Sequence, residues 1–199
     1  MSLKNKLNNN LLIYPEFCLG GFPPKQFYTQ YEAFKLIRSR HLDSNGVIIS
    51  GYSETEGFNT YSSAIIVDGD NYYNSRKMEP WGRGEKSIYN PTNEVPSIFS
   101  TSIGNILTII CNDAFETRLG QVKKSEEIWG ENVVDLLVIV SYWENGIEEF
   151  LVDRGIKRMA KGLNCGNWVL CDNFNGVLKS ENFGYNIDSK EGVLIKKEN

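Results

Sequence analysis

An α/β layered domain, with sheets covered by helices, is the fold class that three features of the sequence predict. Short, almost purely apolar runs such as Leu136-Leu137-Val138-Ile139-Val140 recur along the chain and suit strands buried on both faces. Between them lie longer stretches whose apolar residues return at helical spacing. Turn signals at Asp68-Gly69-Asp70 and Gly104-Asn105 mark two hairpins.

Leu11-Leu12-Ile13-Tyr14 opens the series as a short buried strand ended by Pro15. Gly20, Gly21, Pro23 and Pro24 then make a loop, and Phe27, Tyr31, Phe34, Leu36 and Ile37 set a helix from Lys25 to Arg40. Asn45-Gly46 turns the chain into the strand Val47-Ile48-Ile49. Ser62–Val67 and Asn71–Lys77 form the first hairpin. Residues 78–95 hold Pro80, Gly82, Gly84 and Pro91 and read as an irregular loop, a length that in a compact domain is usually functional. Ser97–Ser100 and Ile106–Ile110 form the second hairpin, with Cys111 closing its second strand. A polar helix follows over Ala114–Trp129, then the strand Leu136–Val140. A second helix runs from Ile147 to Leu163, with Phe150, Leu151, Ile156 and Met159 facing inward. The strand Trp168–Cys171 and a weak strand at Val193-Leu194-Ile195 complete the order. No internal repeat or linker divides the 199 residues, so one domain over residues 1–199 is expected.

Composition excludes several classes of function. With 21 Lys+Arg against 25 Asp+Glu the net charge is −4, which gives no long-range pull toward nucleic acid or anionic lipid. A single histidine, His41, rules out a three-histidine zinc site and an H-E-x-x-H protease. The cysteines Cys18, Cys111, Cys165 and Cys171 form no C-x-x-C pair and match neither a zinc site nor a disulfide framework. The N-terminus lacks an apolar signal core, and no apolar run approaches the roughly 20 residues of a membrane-spanning helix. A reducing cytosol is the expected setting.

Chemistry must then come from carboxylates, lysines, hydroxyls or thiols. Glu16, Lys77 and Cys111 each stand just after an apolar strand and just before irregular chain. Strand ends on one side of a layered α/β fold converge on a common crevice, so these three can meet although they are distant in sequence. Such a set suits nucleophilic catalysis without histidine. A neighbouring cation favours the thiolate, a carboxylate takes the thiol proton, and the ammonium with the backbone N–H of Asn112 stabilises an oxyanion.

The local strings Leu11-Leu-Ile-Tyr-Pro15-Glu16, Ser75-Arg76-Lys77 and Ile109-Ile110-Cys111-Asn112-Asp113 resemble, in that order, the motifs of the carbon–nitrogen hydrolase (nitrilase) superfamily. Tyr61–Asp70 is similar to the hairpin that precedes the family's lysine, and Gly84–Pro91 to the stretch carrying its second glutamate. Asp135–Ser141 and Trp168–Gly176, with Asn173 and Gly176 at the end of a strand, extend the likeness from about Leu11 to Gly176. This resemblance implies an α-β-β-α sandwich that pairs into dimers and uses neither a metal nor an organic cofactor. Its usual first strand and part of its C-terminal extension are absent from this sequence. By position, Cys111 would be the nucleophile, Glu16 its general base and Lys77 the stabiliser of the tetrahedral intermediate. Asn112 N–H would complete the oxyanion hole, and Glu85 would orient the lysine or the substrate amine. Tyr142 and Trp143 lie where a family member lines its substrate pocket. The reaction implied is hydrolysis of a small non-peptide amide or carbamoyl compound through a Cys thioester. Two alternatives stay open: an acyltransferase that resolves the thioester with an amine, and a catalytically silent, shortened relative serving as a binding or scaffold subunit.

Overall fold

The computed structural model describes residues 10–41, 46–114, 127–129, 132–142, 152–172, 178–181, 185–188 and 193–197. One sheet has the order β10-β11-β1-β2-β3-β4, built from β1 (Asn10–Leu19), β2 (Val47–Glu56), β3 (Asn59–Asp68), β4 (Asn71–Arg76), β10 (Tyr185–Asp188) and β11 (Val193–Lys197). The other has the order β5-β6-β7-β8-β9, built from β5 (Ile98–Thr101), β6 (Gly104–Ile110), β7 (Leu136–Ser141), β8 (Trp168–Asp172) and β9 (Leu178–Glu181). Helix α1 (Gln30–Arg40) belongs to the first half of the chain. A short α2 (Gly82–Lys86) interrupts the loop after β4, and α3 (Lys157–Gly162) continues a π-turn over Val152–Ile156.

The strand period of two explains the layers. Val47 and Ile49 point into the space between the sheets, whereas Ile48 points outward to Ala33 and Ile37 of α1. In β6, Ile106 and Ile110 face the other sheet, and Leu107 and Ile109 face outward. β7 repeats this with Leu136, Val138 and Val140 inward and Leu137 and Ile139 outward against Ile156, Met159 and Ala160. Because both faces of each central strand are covered, the strands read as unbroken apolar runs. Burying one such Ile or Leu contributes about 1.5–3 kcal/mol, so the two-sided strands dominate the stability. The outcome is the α-β-β-α sandwich that the motifs imply. Among the described residues no helix is long and apolar enough to cross a membrane.

Several boundaries differ from expectation. β1 does not stop at Pro15 but runs on to Leu19. Pro15 lies beyond the β11 pairing, which ends at Ile13↔Val193, and inside a register shift against β2 between Tyr14 and Leu19. Its missing N–H therefore costs no ladder hydrogen bond. The first helix begins at Gln30 rather than Lys25, because Tyr28 is held extended by Tyr28 N–H to Ser53 O and Thr55 N–H to Tyr28 O, 2.9 Å each. Thr29 and Glu32 then form a reciprocal capping box. β2 and β3 are much longer than expected and meet in a hairpin turned at Gly57-Phe58. Of the two helices expected after Cys111, residues 127–129 are helical while 115–126 lie outside the described residues. In the second, Phe150 and Leu151 lie outside them too, and Ile156 and Met159 are fully buried as expected. β9 and β10 were not expected. β11 lies antiparallel on β1, from Asn10↔Lys196 to Ile13↔Val193, so the edge that a missing first strand would expose is paired within the chain.

Candidate active site

Two strand ends and the irregular part of a third strand, drawn from two sheets, meet at one point. Glu16 sits in the irregular part of β1, Lys77 directly follows β4, and Cys111 directly follows β6. Lys77 N–H donates to Ser62 O at 2.8 Å, which fixes the start of the loop on β3. Its side chain is completely buried, and Nζ donates to Glu16 Oε1 at 3.0 Å and to Glu85 Oε2 at 2.7 Å. Glu85 reaches this position from α2, where Oε2 also accepts Trp81 N–H at 2.8 Å. Glu16 receives two further donors, Ser62 Oγ at 2.7 Å on Oε1 and Tyr142 N–H at 3.2 Å on Oε2. The loop after β4 is thus ordered around its own lysine.

Cys111 does not close the strand as the sequence suggests. It starts a 3-10 turn, Cys111–Ala114, with φ 46°. A left-handed conformation is costly for a residue with a Cβ and is typical of functional turns. Phe17, next to Glu16, is a second non-glycine residue at positive φ, 61°. Asn112, directly after Cys111, is buried in the same turn. Among the described residues no group of His, Cys, Asp and Glu is arranged to hold a metal ion.

Burial pushes the Cys111 thiol well up, opposed by the Lys77 ammonium and by the Ser141 hydroxyl; the carboxylates of Glu16 and Glu85 add to the rise. The sulfur therefore rests as a thiol and needs a base. Glu16 is also pushed up, first by burial and then by Glu85, against the pull of Lys77 and Ser62. A carboxylate whose proton affinity is raised makes a better general base and holds the proton for later return. Burial alone would neutralise Lys77, but the Glu16 and Glu85 carboxylates on its Nζ hold it as an ammonium.

Asp113 is a positioning residue that the sequence motif contains but does not explain. Its buried carboxylate accepts Met78 N–H at 2.6 Å and Glu79 N–H at 3.3 Å, tying the cysteine turn to the lysine loop. Burial lifts its pKa to about 7, against the Met78 hydrogen bond and the Lys77 charge. A folded-state pKa above the ordinary value near 4 means the native state binds the proton more tightly. The associated stability is present below that ordinary value and is lost as pH rises through about 7. Asp113→Asn removes this dependence. Wild-type stability relative to the variant is expected to fall between pH 4 and pH 7, by at most about 4 kcal/mol, in urea titrations across that range. A flat difference would contradict it.

Aromatic rings cover the carboxylate. Phe17 stacks on Phe22 and Tyr89 with centroids at 5.0 and 5.6 Å, and the Tyr142 ring meets Phe17 edge-on at 5.8 Å. Tyr142 therefore touches the site by its main chain and its ring; Trp143 lies outside the described residues. Behind this cluster, Arg76 clamps Glu54 with Nη2 to Oε1 at 2.7 Å and Nε to Oε2 at 3.1 Å. Burial opposes the charge on Glu54, but bonds from Arg76, Ser63, Gln30 and Asn74 hold its pKa below the ordinary range. This pair anchors the strand end that presents Lys77. Sequence reasoning missed Glu54, Ser62 and Ser141, which carry no local signal, and Gly51, which does carry one.

No protein-family model matches this chain, and no curated protein matches it in sequence. Solved structures do match in shape. An amidase from Nesterenkonia sp. superposes with a TM-score of 0.70 at 15% identity, covering 94% of this chain and 76% of its own. A variant of that amidase, bearing acrylamide added at the active-site cysteine, gives a TM-score of 0.67 at 15% identity, with 95% and 80% covered. A CN-hydrolase superfamily protein from Xanthomonas campestris with an arsenic adduct in its active site gives 0.67 at 15%, with 98% and 78% covered. The chain has the fold of the nitrilase-superfamily amidases.

Proposed function

We propose that the chain hydrolyses the C–N bond of a small non-peptide amide or carbamoyl compound, with Cys111 as nucleophile. The observation that carries this reading is the completely buried Lys77, bridging Glu16 and Glu85 beside a buried thiol. A buried ammonium between two carboxylates is costly as a structural device alone, and it is the charge needed where an oxyanion develops. The likeness in fold to amidases with an active-site cysteine supports the same chemistry.

Glu16 removes the Cys111 proton as Sγ attacks the amide carbon, and the carbonyl oxygen becomes an oxyanion facing Lys77 Nζ and Asn112 N–H. Collapse breaks the C–N bond, and Glu16 returns the proton to the leaving ammonia or amine. A water deprotonated by Glu16 then attacks the thioester; the C–S bond breaks with its electron pair on sulfur, Glu16 returns the proton to Cys111, and the carboxylic acid leaves. Glu85 keeps the lysine aimed through both steps. Tyr142, with Phe17 and Phe22, walls the acyl side. The near-complete burial of the reacting groups favours a small substrate. One domain, a homodimer and a cytosolic setting complete the proposal.

Alkylation with iodoacetamide tests it. Cys18 is exposed and would label by access alone, so the comparison is made in a Cys18→Ser background. Cys111 is expected to label far faster than Cys165 and Cys171, which are buried too, and to lose that advantage in Glu16→Gln. Ammonia release from small amides then reports turnover, and hydroxylamine in place of water separates acyl transfer from hydrolysis. Equal sluggishness at all three thiols with no amide consumed would leave the silent binding subunit.

A further inference from the structure

We propose that Ser141 is a further catalytic residue, whose hydroxyl donates a hydrogen bond to the Cys111 sulfur as the thiol becomes a thiolate. This rests on the reading of Cys111 as the nucleophile.

The backbone brings the two residues together. β6 and β7 run parallel in a register that ends at Ile110↔Val140, so the next residues, Cys111 and Ser141, stand side by side where both strands stop. Ser141 is completely buried, and its Oγ forms no hydrogen bond of ordinary geometry among the described residues. A buried hydroxyl without a partner lowers stability, and native interiors rarely keep one without use. The Cys111 sulfur is the group this hydroxyl acts on, where it opposes the effect of burial. The next residue, Tyr142, gives its N–H to Glu16 Oε2. One strand end thus serves both the base and the nucleophile.

Chemistry explains why the donor stands idle at rest. A neutral thiol is a weak acceptor, so the resting site gives the hydroxyl little to bind. When Glu16 takes the proton, the S–H bond breaks and its electron pair stays on sulfur, which becomes a strong acceptor. The hydroxyl is already in place and needs no reorganisation to meet that charge. Two of the three Lys77 Nζ donors are taken by Glu16 and Glu85, at 3.0 and 2.7 Å, and the third is the one that faces the oxyanion, so the sulfur gains from a donor of its own.

Ser141→Ala in the Cys18→Ser background tests the assignment. Alkylation of Cys111 by iodoacetamide is expected to slow about tenfold, with its pH–rate profile displaced upward by about one unit. Ser141→Thr, which keeps the hydroxyl, is expected to recover most of the rate. Tm of the alanine variant should stay level or rise, because an unsatisfied polar group leaves the interior. Slower alkylation accompanied by a lower Tm would make Ser141 a packing residue and overturn the proposal. An unchanged rate and profile, with parental Cys111 still faster than Cys165 and Cys171, would overturn the role of Ser141 alone. Parental Cys111 no faster than those two would instead remove the nucleophile and this proposal with it.

Discussion

Lys77→Met is expected to lower amide turnover by about 10³-fold and to cost roughly 3–5 kcal/mol of stability, the largest loss from any one side chain of the site. Methionine fills much of the same volume, so the effect isolates the charge. In the folded protein Nζ is the only cation within hydrogen-bonding distance of Glu16 Oε1 among the described contacts, and it also holds Glu85 Oε2. Removing it leaves two buried carboxylates near each other with no ammonium between them. The repulsion is relieved by protonating one of them, and Glu16 is the deeper of the two, at 0% exposure against 8% for Glu85. A protonated Glu16 cannot take the Cys111 proton, so the base and the oxyanion partner are lost together. The same argument fixes the pH dependence. In the variant the Glu16 pKa, no longer held down by Lys77, rises further, so its stability deficit should shrink on acidification and be largest near neutrality. Urea midpoints of both proteins at pH 5 and pH 7.5, with ammonia release alongside, measure this. A variant within about tenfold of parental turnover would show that no oxyanion meets Lys77.

What the sequence disclosed, and what it withheld, follows from where polar groups are buried. Leu136–Val140, Val47–Ile49 and Trp168–Cys171 were legible as strands because two apolar environments flank each sheet. Residues 50–56 continue β2 in the same sheet, yet Ser50, Ser53 and Glu54 disguise it. They are buried because tertiary partners satisfy them: Ser53 meets Tyr89 OH at 2.8 Å, and Glu54 is locked by Arg76. No local pattern announces such partners. The residues proposed to react were legible for another reason. Each stands where an apolar run stops, and the ordered Pro-Glu, Arg-Lys and Cys-x-Asp strings tie the three stops to one known chemistry. Their supports were not legible. Ser62 and Ser141 are common residues whose importance is set by the neighbouring strand, and Asp113 acts on main-chain groups 35 and 34 positions away. Pro15 misled in the opposite direction, since a proline ends a strand only where its N–H would have been used.

Gly51→Ala is expected to be the most disruptive conservative change outside the reacting groups, at more than about 3 kcal/mol, although Gly51 touches no reacting atom. A glycine inside a strand signals close backbone approach, and here the approach is to Glu16 itself. An added Cβ would lie 2.5 Å from Glu16 Cα, 2.6 Å from Pro15 O and 3.0 Å from Glu16 C. All three are main-chain atoms, so no side chain can swing aside. The cause is the register shift: from Tyr14↔Ser50 to Leu19↔Tyr52, β1 spends five steps against two of β2, and the surplus chain arches over Gly51. That arch is what carries the Glu16 carboxylate toward Lys77. Alanine must lift it, lengthening the contacts of Glu16 with Ser62, Lys77 and Tyr142 N–H together. Gly57→Ala supplies the comparison. Gly57 sits in the hairpin turn with φ +60° and no heavy atom within 4 Å of the added carbon, so only the left-handed strain of about 1–2 kcal/mol applies. The ordering follows: Gly57→Ala lowers Tm modestly and leaves turnover intact, whereas Gly51→Ala lowers Tm severely. Any folded fraction of Gly51→Ala should show reduced kcat, because a displaced base costs orientation rather than substrate affinity. Equal Tm losses in the two variants would mean that β1 yields over Gly51 without strain, and that the arch does not set the position of the base.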